Sequence, residues 1–211
     1  MPQTPHNSRW ILGVTGASGA IYAQRLLRQL VEAGVDVQLV VSPLGLRLLH
    51  DELGIEGLNL DALTGMTADQ RAACGASVTV HNHRDVGASI ASGSYRCDGM
   101  IVCPCSSNSL AAIACGLAQN LLHRAAYVCL KERRRLILVH RETPLTSIDI
   151  DNMQRVTAAG AIVAPANPGF YKLPATIEQL ADYVVARCLD LMHVPHQLDV
   201  RWGAEDRPKK I

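Results

Sequence analysis

The chain has 211 residues, 48% of them hydrophobic, which suits one domain with a sizeable core. Its 20 Lys and Arg against 19 Asp and Glu give a net charge of +1, so no strong field would recruit nucleic acid or an anionic membrane. Seven cysteines, an odd number, indicate a reducing compartment rather than a disulfide framework. No apolar run is long enough to span a membrane, and residues 1–9 lack a signal-peptide core. We therefore expect a cytoplasmic protein.

The first apolar run ends in a glycine-rich turn, with the sequence GVTGASG at 13–19. Residues 10–14 are typical of a buried strand, and residues 20–32 carry apolar side chains at helical spacing. A glycine-rich turn between a strand and a helix lets free N–H groups and the positive end of the helix approach an anion such as a phosphate. The motif alone also fits a tight turn without a ligand.

Strands and helices alternate along the rest of the chain. Apolar patterns predict strands over 35–41, 78–80, 100–103, 136–139 and 161–164, and helices over 44–53, 120–132 and 147–159, with another beginning near Leu110. Residues 55–75 hold two weak segments. We expect a single α/β domain over residues 1–211, a doubly wound, mainly parallel sheet of Rossmann-like or flavodoxin-like type with helices on both faces. Residues 1–9 and 204–211 are expected to be tails.

The last helix is predicted to open at Thr176, with Gln179 completing a capping box. Its apolar face is predicted to bury six residues, namely Ile177, Leu180, Ala181, Val184, Cys188 and Leu191.

Polar clusters follow the strands where each strand ends. In a doubly wound sheet, ligands bind outside the carboxyl ends of the strands, where the connections reverse direction. The clusters there are Thr15 to Gly19, Ser42, Ser106 to Ser109, Arg141 with Glu142, and Tyr171. Ser106 or Ser107 is expected as a helix N-cap, but four small polar residues exceed the needs of one cap. The convergence predicts a functional site at this edge.

Charged residues near the predicted site allow more than one role. Arg124 and Lys131 are seven residues apart on one helix, so they share a face about 10 Å apart. Three roles fit this spacing: binding of two different phosphates, contact of one residue with a neighbouring subunit, or two solvated cations on an outer helix face. Glu142 beside Arg141 suits a general acid or base, or an exposed ion pair. His81 and His83 lack a third partner for a metal, so a solvated loop is favoured there.

A dehydrogenase is a misleading alternative. Tyr127 and Lys131 match the Tyr-x-x-x-Lys pair of short-chain dehydrogenases. The sequence TGASG at 15–19 also resembles the start of the cofactor loop in those enzymes. However, Tyr22 replaces the third glycine of that loop, Ala114 stands where the catalytic serine would usually lie, and Ser42 replaces the acidic residue that would hold a ribose. This interpretation is therefore disfavoured.

Over residues 11–202, the sequence resembles the flavin prenyltransferases of the UbiX type. The resemblance is carried by motifs in this order: TGASGAIY at 15–22, ASGS at 91–94, CPCS at 103–106, Arg124-Ala125-Ala126, LKERR at 130–134, RETPL at 141–145, Gly169-Phe170-Tyr171 and Arg201-Trp202. Each motif is weak alone, and the ordered set is highly specific.

The resemblance implies a homo-oligomeric flavoprotein, with a dodecamer as one candidate size. Such enzymes attach a dimethylallyl group from dimethylallyl phosphate to N5 and C6 of reduced FMN, without a metal, and release prenylated FMN to a partner decarboxylase. The sequence does not distinguish a monophosphate from a diphosphate donor.

The resemblance also implies residue roles. Around FMN it places Gly16, Ala17, Ser18, Ser42, Ser106, Ser107, Asn108, Ser109 and Arg141. Around the donor phosphate it places Arg124, Lys131, Tyr171 and Arg187. Glu142 would assist departure of the phosphate near Ser18, with Lys131 and Tyr171 as further catalytic residues, and Glu52 would move protons during ring closure. Asn108-Ser109 departs from the Lys-Thr or small-Thr pair often found there.

Two rivals remain from the sequence. One is an FMN-dependent decarboxylase of peptidyl- or pantothenoyl-cysteine, whose Pro-x-Met-Asn signature is absent at 141–145. The other is a flavin-binding regulatory subunit without turnover, which the presence of Glu142, Lys131 and Tyr171 disfavours.

Overall fold

The computed structural model describes residues 8–198, which form a six-stranded parallel sheet. The strands are β1 (Arg9–Val14), β2 (Asp36–Val41), β3 (Ser77–His81), β4 (Gly99–Cys105), β5 (Arg135–His140) and β6 (Ile162–Val163). Their order is β3-β2-β1-β4-β5-β6, and every neighbouring pair is parallel. This order is that of a Rossmann-type sheet, which confirms the expected fold class.

Helices connect the strands. They are α1 (Ala20–Glu32), α2 (Pro43–Leu53), α3 (Leu60–Thr64), α4 (Ala68–Ala73), α5 (Ser107–Ala114), α6 (Leu121–Lys131), α7 (Ser147–Ala158) and α8 (Ile177–Met192). A short 3-10 turn, Ser89–Ala91, precedes β4. Within residues 8–198, no helix is both long and apolar enough to cross a membrane.

Two apolar layers cover the two faces of the sheet. On one face, side chains of α1 and α8 pack on alternate residues of the central strands, such as Leu12 and Ile101. On the other face, α5, α6 and α7 pack on the intervening residues, such as Ile11 and Met100. Every residue of β4 is buried, because this strand is central and covered on both faces.

Most element boundaries differ from the sequence prediction by one residue, and two of the differences change the account of the chain. β4 continues through Cys105, so Pro104 and Cys105 belong to the strand and α5 begins at Ser107 rather than near Leu110. Arg9 belongs to β1 rather than to a tail, because it pairs with Asp36 of β2 at 2.5 Å, Nε to Oδ2. The other predicted tail residues, 1–7 and 204–211, and the motif at 201–202 lie outside the described residues.

The start of α8 also differs. The Thr176 hydroxyl accepts a hydrogen bond from the Gln179 N–H at 3.2 Å, as a cap should. The Gln179 side chain instead accepts from the Ala175 N–H at 2.6 Å, so the predicted capping box does not form. Ile177 is 70% exposed rather than buried, because it lies in the first turn and the buried face of α8 begins only at Ala181.

Candidate active site

Thr15 joins the two loops that meet at the middle of the sheet. Its N–H and its hydroxyl donate to the Pro104 carbonyl at 3.2 and 2.8 Å, and its hydroxyl accepts from the Ser106 N–H at 2.8 Å. Thr15 is buried, so these bonds are protected from water. The loops after β1 and β4 are thereby fixed at the point where the strand order reverses, which is where ligands of such sheets bind.

A cavity of about 430 Å³ lies over these loops at the carboxyl edge of the sheet. This volume is in the range of small-molecule sites. Its wall includes residues that the sequence predicted, namely Thr15, Gly16, Ser42, Ser106 to Ser109 and Glu142. The structure thus brings together polar side chains from the loops after β1, β2, β4 and β5.

Close approach of backbone shapes the cavity at Gly16. A Cβ atom on Gly16 would lie 2.5 Å from the Cβ of Leu44, so only glycine allows the start of α2 to come this near. Ser42 caps α2 by accepting from the Gly45 N–H at 3.0 Å. Both residues serve the local fold and also line the cavity.

The turn into α5 supplies the largest share of polar side chains. Ser106 is the N-cap and accepts from the Ser109 N–H at 3.3 Å, as the sequence predicted. Asn108 is exposed at the cavity, while Ser109 is buried. The Ser107 hydroxyl lies 3.0 Å from Nε2 of His140.

Two buried histidines at the site were missed by the sequence reasoning. His123 lines the cavity, with Nε2 3.4 Å from the Ser109 hydroxyl and Nδ1 3.1 Å from the Asn120 amide. Burial, with a smaller contribution from His83, lowers the pKa of His123. Burial also lowers the pKa of His140. The signal in the sequence that could have identified these two histidines is a polar residue within an otherwise apolar strand or helix face.

Arg141 and Glu142 directly follow β5. Within residues 8–198, the structure has no ion pair between these two side chains. Nε of Arg141 is buried and has no hydrogen-bond partner in this part of the chain. Glu142 is exposed, lines the cavity and accepts from the Thr143 N–H at 3.1 Å. A buried donor without a partner is costly, so Arg141 fits a bound acceptor such as a flavin.

The amino end of α1 is less open than the sequence suggested. The carboxylate of Glu52, on α2, accepts from the N–H groups of Gly19 at 2.9 Å and Ala20 at 2.7 Å. Ala17 is buried and Ser18 is exposed just before this contact. A bound anion can therefore use the turn at 16–18, whereas the next two N–H groups are already occupied.

Arg124 and Lys131 lie at opposite ends of α6. Nε of Arg124 donates to the Ala91 carbonyl at 3.3 Å, and its guanidinium lies 5.8 Å from the Tyr127 ring centroid. Lys131 forms an ion pair with Glu132, and its Nζ would lie 2.7 Å from a Cβ on Gly93. The loop at 92–94 therefore packs directly on Lys131.

Tyr171 lies in the loop before α8, and Arg187 is an exposed residue of α8. The Tyr171 ring packs edge-on against Tyr183, with centroids 5.6 Å apart, and Arg187 pairs with Asp190 at 2.9 Å. The residues that line the cavity include none of Arg124, Lys131, Tyr171 and Arg187. One chain thus gathers six of the nine predicted flavin residues around the cavity, all except Ala17, Ser18 and Arg141, and none of the four predicted donor residues.

The histidines at 81 and 83 do not form a metal centre. Nε2 of His81 lies 2.8 Å from the Gln38 amide oxygen, and His83 borders the cavity. No cluster of three His, Cys, Asp or Glu side chains suited to a metal occurs between residues 8 and 198.

Comparison with known proteins identifies the family. The flavoprotein family model matches residues 1–189. The chain is 42% identical over 203 residues to the flavin prenyltransferase UbiX of Halalkalibacterium halodurans, an alignment that covers 96% of this chain and 97% of the relative. The chain belongs to the flavoprotein family and to its UbiX flavin prenyltransferases. This membership excludes the dehydrogenase alternative.

Solved structures of UbiX proteins share the fold over their whole length. The crystal structure of AnUbiX (PadA1) in complex with FMN and dimethylallyl pyrophosphate superposes with a TM-score of 0.84 at 39% identity, covering 94% of this chain and 99% of that one. A dodecameric FMN-dependent UbiX-like decarboxylase from Escherichia coli O157:H7 superposes with a TM-score of 0.80 at 39% identity, covering 93% and 100%.

Proposed function

We propose that this protein transfers a dimethylallyl group from dimethylallyl phosphate to N5 and C6 of reduced FMN, closing a fourth ring. The observation that carries the proposal is the polar cavity at the carboxyl edge, in a chain of the UbiX flavin prenyltransferase family. Reduced FMN supplies the electron-rich atoms that the dimethylallyl group joins. The protein contributes binding, orientation and control of charge and protons.

FMN is held by the loops that form this cavity. The N–H groups at 16–18 and the Ser42 region suit its phosphate, because a turn before a helix concentrates backbone donors. Arg141 brings a guanidinium whose Nε lacks a partner within residues 8–198. Ser106 to Ser109 supply hydroxyl and amide groups to the rest of the flavin. No step in this scheme needs a metal.

Departure of the donor phosphate requires cations and a proton. Lys131, Arg124 and Arg187 provide positive charge, which stabilises the developing phosphate in a dry site. Tyr171 donates a phenol hydrogen bond. Glu142, next to the cavity, holds a proton for the leaving phosphate near Ser18. Glu52 serves proton movement during ring closure from its place against the first turn of α1.

The active enzyme is a homo-oligomer in which neighbouring subunits complete each cavity. The positions of the four donor residues support this proposal, since none of them lines the cavity of its own chain. The exposed apolar side chains of Leu44, Ile148 and Phe170, at 62%, 67% and 66%, would be covered by such assembly. The dodecameric relative from Escherichia coli supports this proposal.

Mixed oligomers test the shared cavity directly. Co-expressed Arg124→Ala and Glu142→Gln subunits should recover part of the activity that each variant lacks alone, because some cavities receive both intact residues. A fully active monomer by light scattering would contradict the shared site.

The product is expected to serve a partner decarboxylase as its cofactor. A cytoplasmic location fits the seven cysteines, all of them free thiols in the structure.

Phosphate release tests the reaction itself. Under anaerobic conditions, reduced FMN and dimethylallyl phosphate should give free phosphate only when the protein is present. Oxidised FMN should not support release, because it lacks the electron-rich N5. Release without any flavin would indicate a simple phosphatase.

A further inference from the structure

Four polar side chains of α5 and α6 are linked by hydrogen bonds along the cavity wall. Ser106 caps α5 and Ser109 lies in its first turn, while Asn120 caps α6 and His123 lies in its first turn. All four residues line the cavity. Ser109 and His123 are 5% and 6% exposed, so water competes little for their polar atoms.

Asn120 fixes the tautomer of His123. Its amide oxygen Oδ1 is the N-cap acceptor and receives the His123 backbone N–H at 2.9 Å. The other end of the amide, Nδ2, lies 3.1 Å from Nδ1 of His123. An amide NH2 group only donates, so Nδ1 is an acceptor and carries no hydrogen. Burial lowers the pKa of His123, which favours the neutral ring, and the single ring hydrogen is therefore on Nε2.

This tautomer determines what the Ser109 hydroxyl can do. Nε2 of His123 lies 3.4 Å from the Ser109 hydroxyl oxygen, so the imidazole donates and the hydroxyl accepts. The Ser106 hydroxyl donates to the same oxygen at 3.3 Å. Both lone pairs of the Ser109 oxygen are then used, and its own hydrogen remains. Within residues 8–198, this hydrogen is not donated to any protein acceptor.

We propose that His123 is a positioning residue that keeps Ser109 as a hydrogen-bond donor toward the cavity, where the Ser109 hydroxyl donates to an acceptor oxygen of the bound flavin. This inference rests on the proposed function, because it takes the ligand to be FMN. FMN has acceptor oxygens on its phosphate, its ribityl chain and its ring system, and all of them suit an O–H donor. Asn120 supports the arrangement through the ring of His123.

The tautomer can be observed without any ligand. Nitrogen-15 NMR of the imidazoles at neutral pH, with His123→Gln used to assign the signal, should show His123 with a hydrogen on Nε2 and none on Nδ1. A neutral His123 with its hydrogen on Nδ1 would overturn the inference, since Ser109 would then have to donate to Nε2.

Asn120→Asp tests the cause of this tautomer. A carboxylate at position 120 still caps α6, because it accepts the His123 N–H, but it cannot donate to Nδ1 of the ring. We expect Nδ1 of His123 to become protonated in this variant. An Nδ1 that stays unprotonated would overturn the inference, because Asn120 would then not determine the tautomer.

FMN titration tests the consequence for binding. His123→Leu should weaken FMN binding about fivefold, because the Ser109 oxygen loses one of the two donors that orient its hydrogen. His123→Gln should bind within about twofold of the unaltered protein, since the Gln amide still offers an N–H donor. His81→Leu is the matched control, because His81 also contacts a buried side chain, that of Gln38, but does not line the cavity.

Ser109→Ala identifies the flavin oxygen. This variant should lose at least as much FMN affinity as His123→Leu, because the donor itself is removed. A loss with FMN alone assigns the Ser109 hydrogen bond to the phosphate, and an equal loss with riboflavin, which lacks the phosphate, assigns it to the ribityl chain or the ring system. Unchanged binding of both flavins would overturn the inference.

A double-mutant cycle separates positioning from a direct contact or a general structural effect. In a Ser109→Ala background, His123→Leu should have little further effect on FMN affinity, because it acts only through Ser109. An equal loss in both backgrounds, or failure of His123→Gln to bind, would overturn the inference while FMN binding by the unaltered protein upholds the proposed function. Absence of FMN binding by the unaltered protein would overturn both.

Discussion

Glu52 closes the amino end of α1, since its Oε2 accepts a hydrogen bond from the Gly19 N–H at 2.9 Å. The glycine-rich turn is therefore braced by a carboxylate from α2. A negative charge at this end of a helix is favourable, because it meets both free N–H groups and the positive end of the helix dipole. The turn keeps its shape before any ligand arrives.

Replacing Glu52 should destabilise this turn. We expect Glu52→Ala to lower the free energy of unfolding by about 1 kcal/mol, as for loss of a helix cap, and Glu52→Gln by less, because Gln still accepts hydrogen bonds. Urea denaturation measures the change. Glu56→Gln, at an exposed position nearby, is the control and should have no effect. Equal stability of all three variants would show that the contact contributes little.

Glu142 is expected to act on the reaction rather than on flavin binding. Glu142→Gln should leave FMN affinity nearly unchanged and slow phosphate release at least tenfold, because the lost group acts in the transition state. Stopped-flow release of phosphate and FMN titration separate the two quantities. Asp151→Asn, an exposed carboxylate change on α7, should leave both at their original values. Loss of FMN binding by Glu142→Gln would contradict this role.

Lys131 is expected to act on the donor. Lys131→Ala should raise the KM for dimethylallyl phosphate about tenfold, because a charged hydrogen bond to phosphate is lost, while FMN affinity stays the same. Arg155→Ala, which removes an exposed cation from α7, is the control. Similar small effects of both substitutions would identify Lys131 as a solvated surface charge.

The pKa of the Cys97 thiol predicts how its reactivity depends on pH. The neighbouring Cys129 thiol, together with Arg134, whose Nη1 lies 3.7 Å from the Cys97 sulfur, lowers the pKa of Cys97 to about 7. The thiolate is the reactive form, so the rate of alkylation of Cys97 by iodoacetamide should rise with pH through a midpoint near 7. Cys129→Ala should move the midpoint upward, whereas Cys115→Ala should not. Peptide mass spectrometry follows the rate, and an unshifted midpoint near 8.5 would contradict the lowered pKa.

The alternating pattern was sufficient to predict the sheet and its binding edge. Apolar runs and terminating glycines placed α1 correctly at 20–32, and polar residues predicted after β1, β2, β4 and β5 line the cavity. Local sequence determines these features, because periodicity and turn chemistry act over short distances.

Features that depend on tertiary contacts were not predictable in the same way. Gln179 satisfied the capping-box pattern, yet its amide bonds to Ala175, one residue earlier than the pattern requires. The Glu52 contact with α1 spans more than 30 residues, and the contact between Ser107 and His140 joins α5 to β5. A local sequence pattern does not show which side chains far apart in the sequence are in contact in the fold. Lys131 and Tyr171 do not line the cavity of their own chain. Their positions also depend on tertiary contacts and were not predictable from the local sequence.

The mass of the flavin product tests the central claim most directly. The protein is mixed anaerobically with reduced FMN and dimethylallyl phosphate, and the extracted flavin is analysed by mass spectrometry alongside free phosphate. We predict a flavin enlarged by one dimethylallyl group, with one phosphate released for each flavin converted. Unmodified flavin would contradict the prenyltransferase, and carbon dioxide released in a parallel reaction with a cysteine-terminated substrate would establish a decarboxylase.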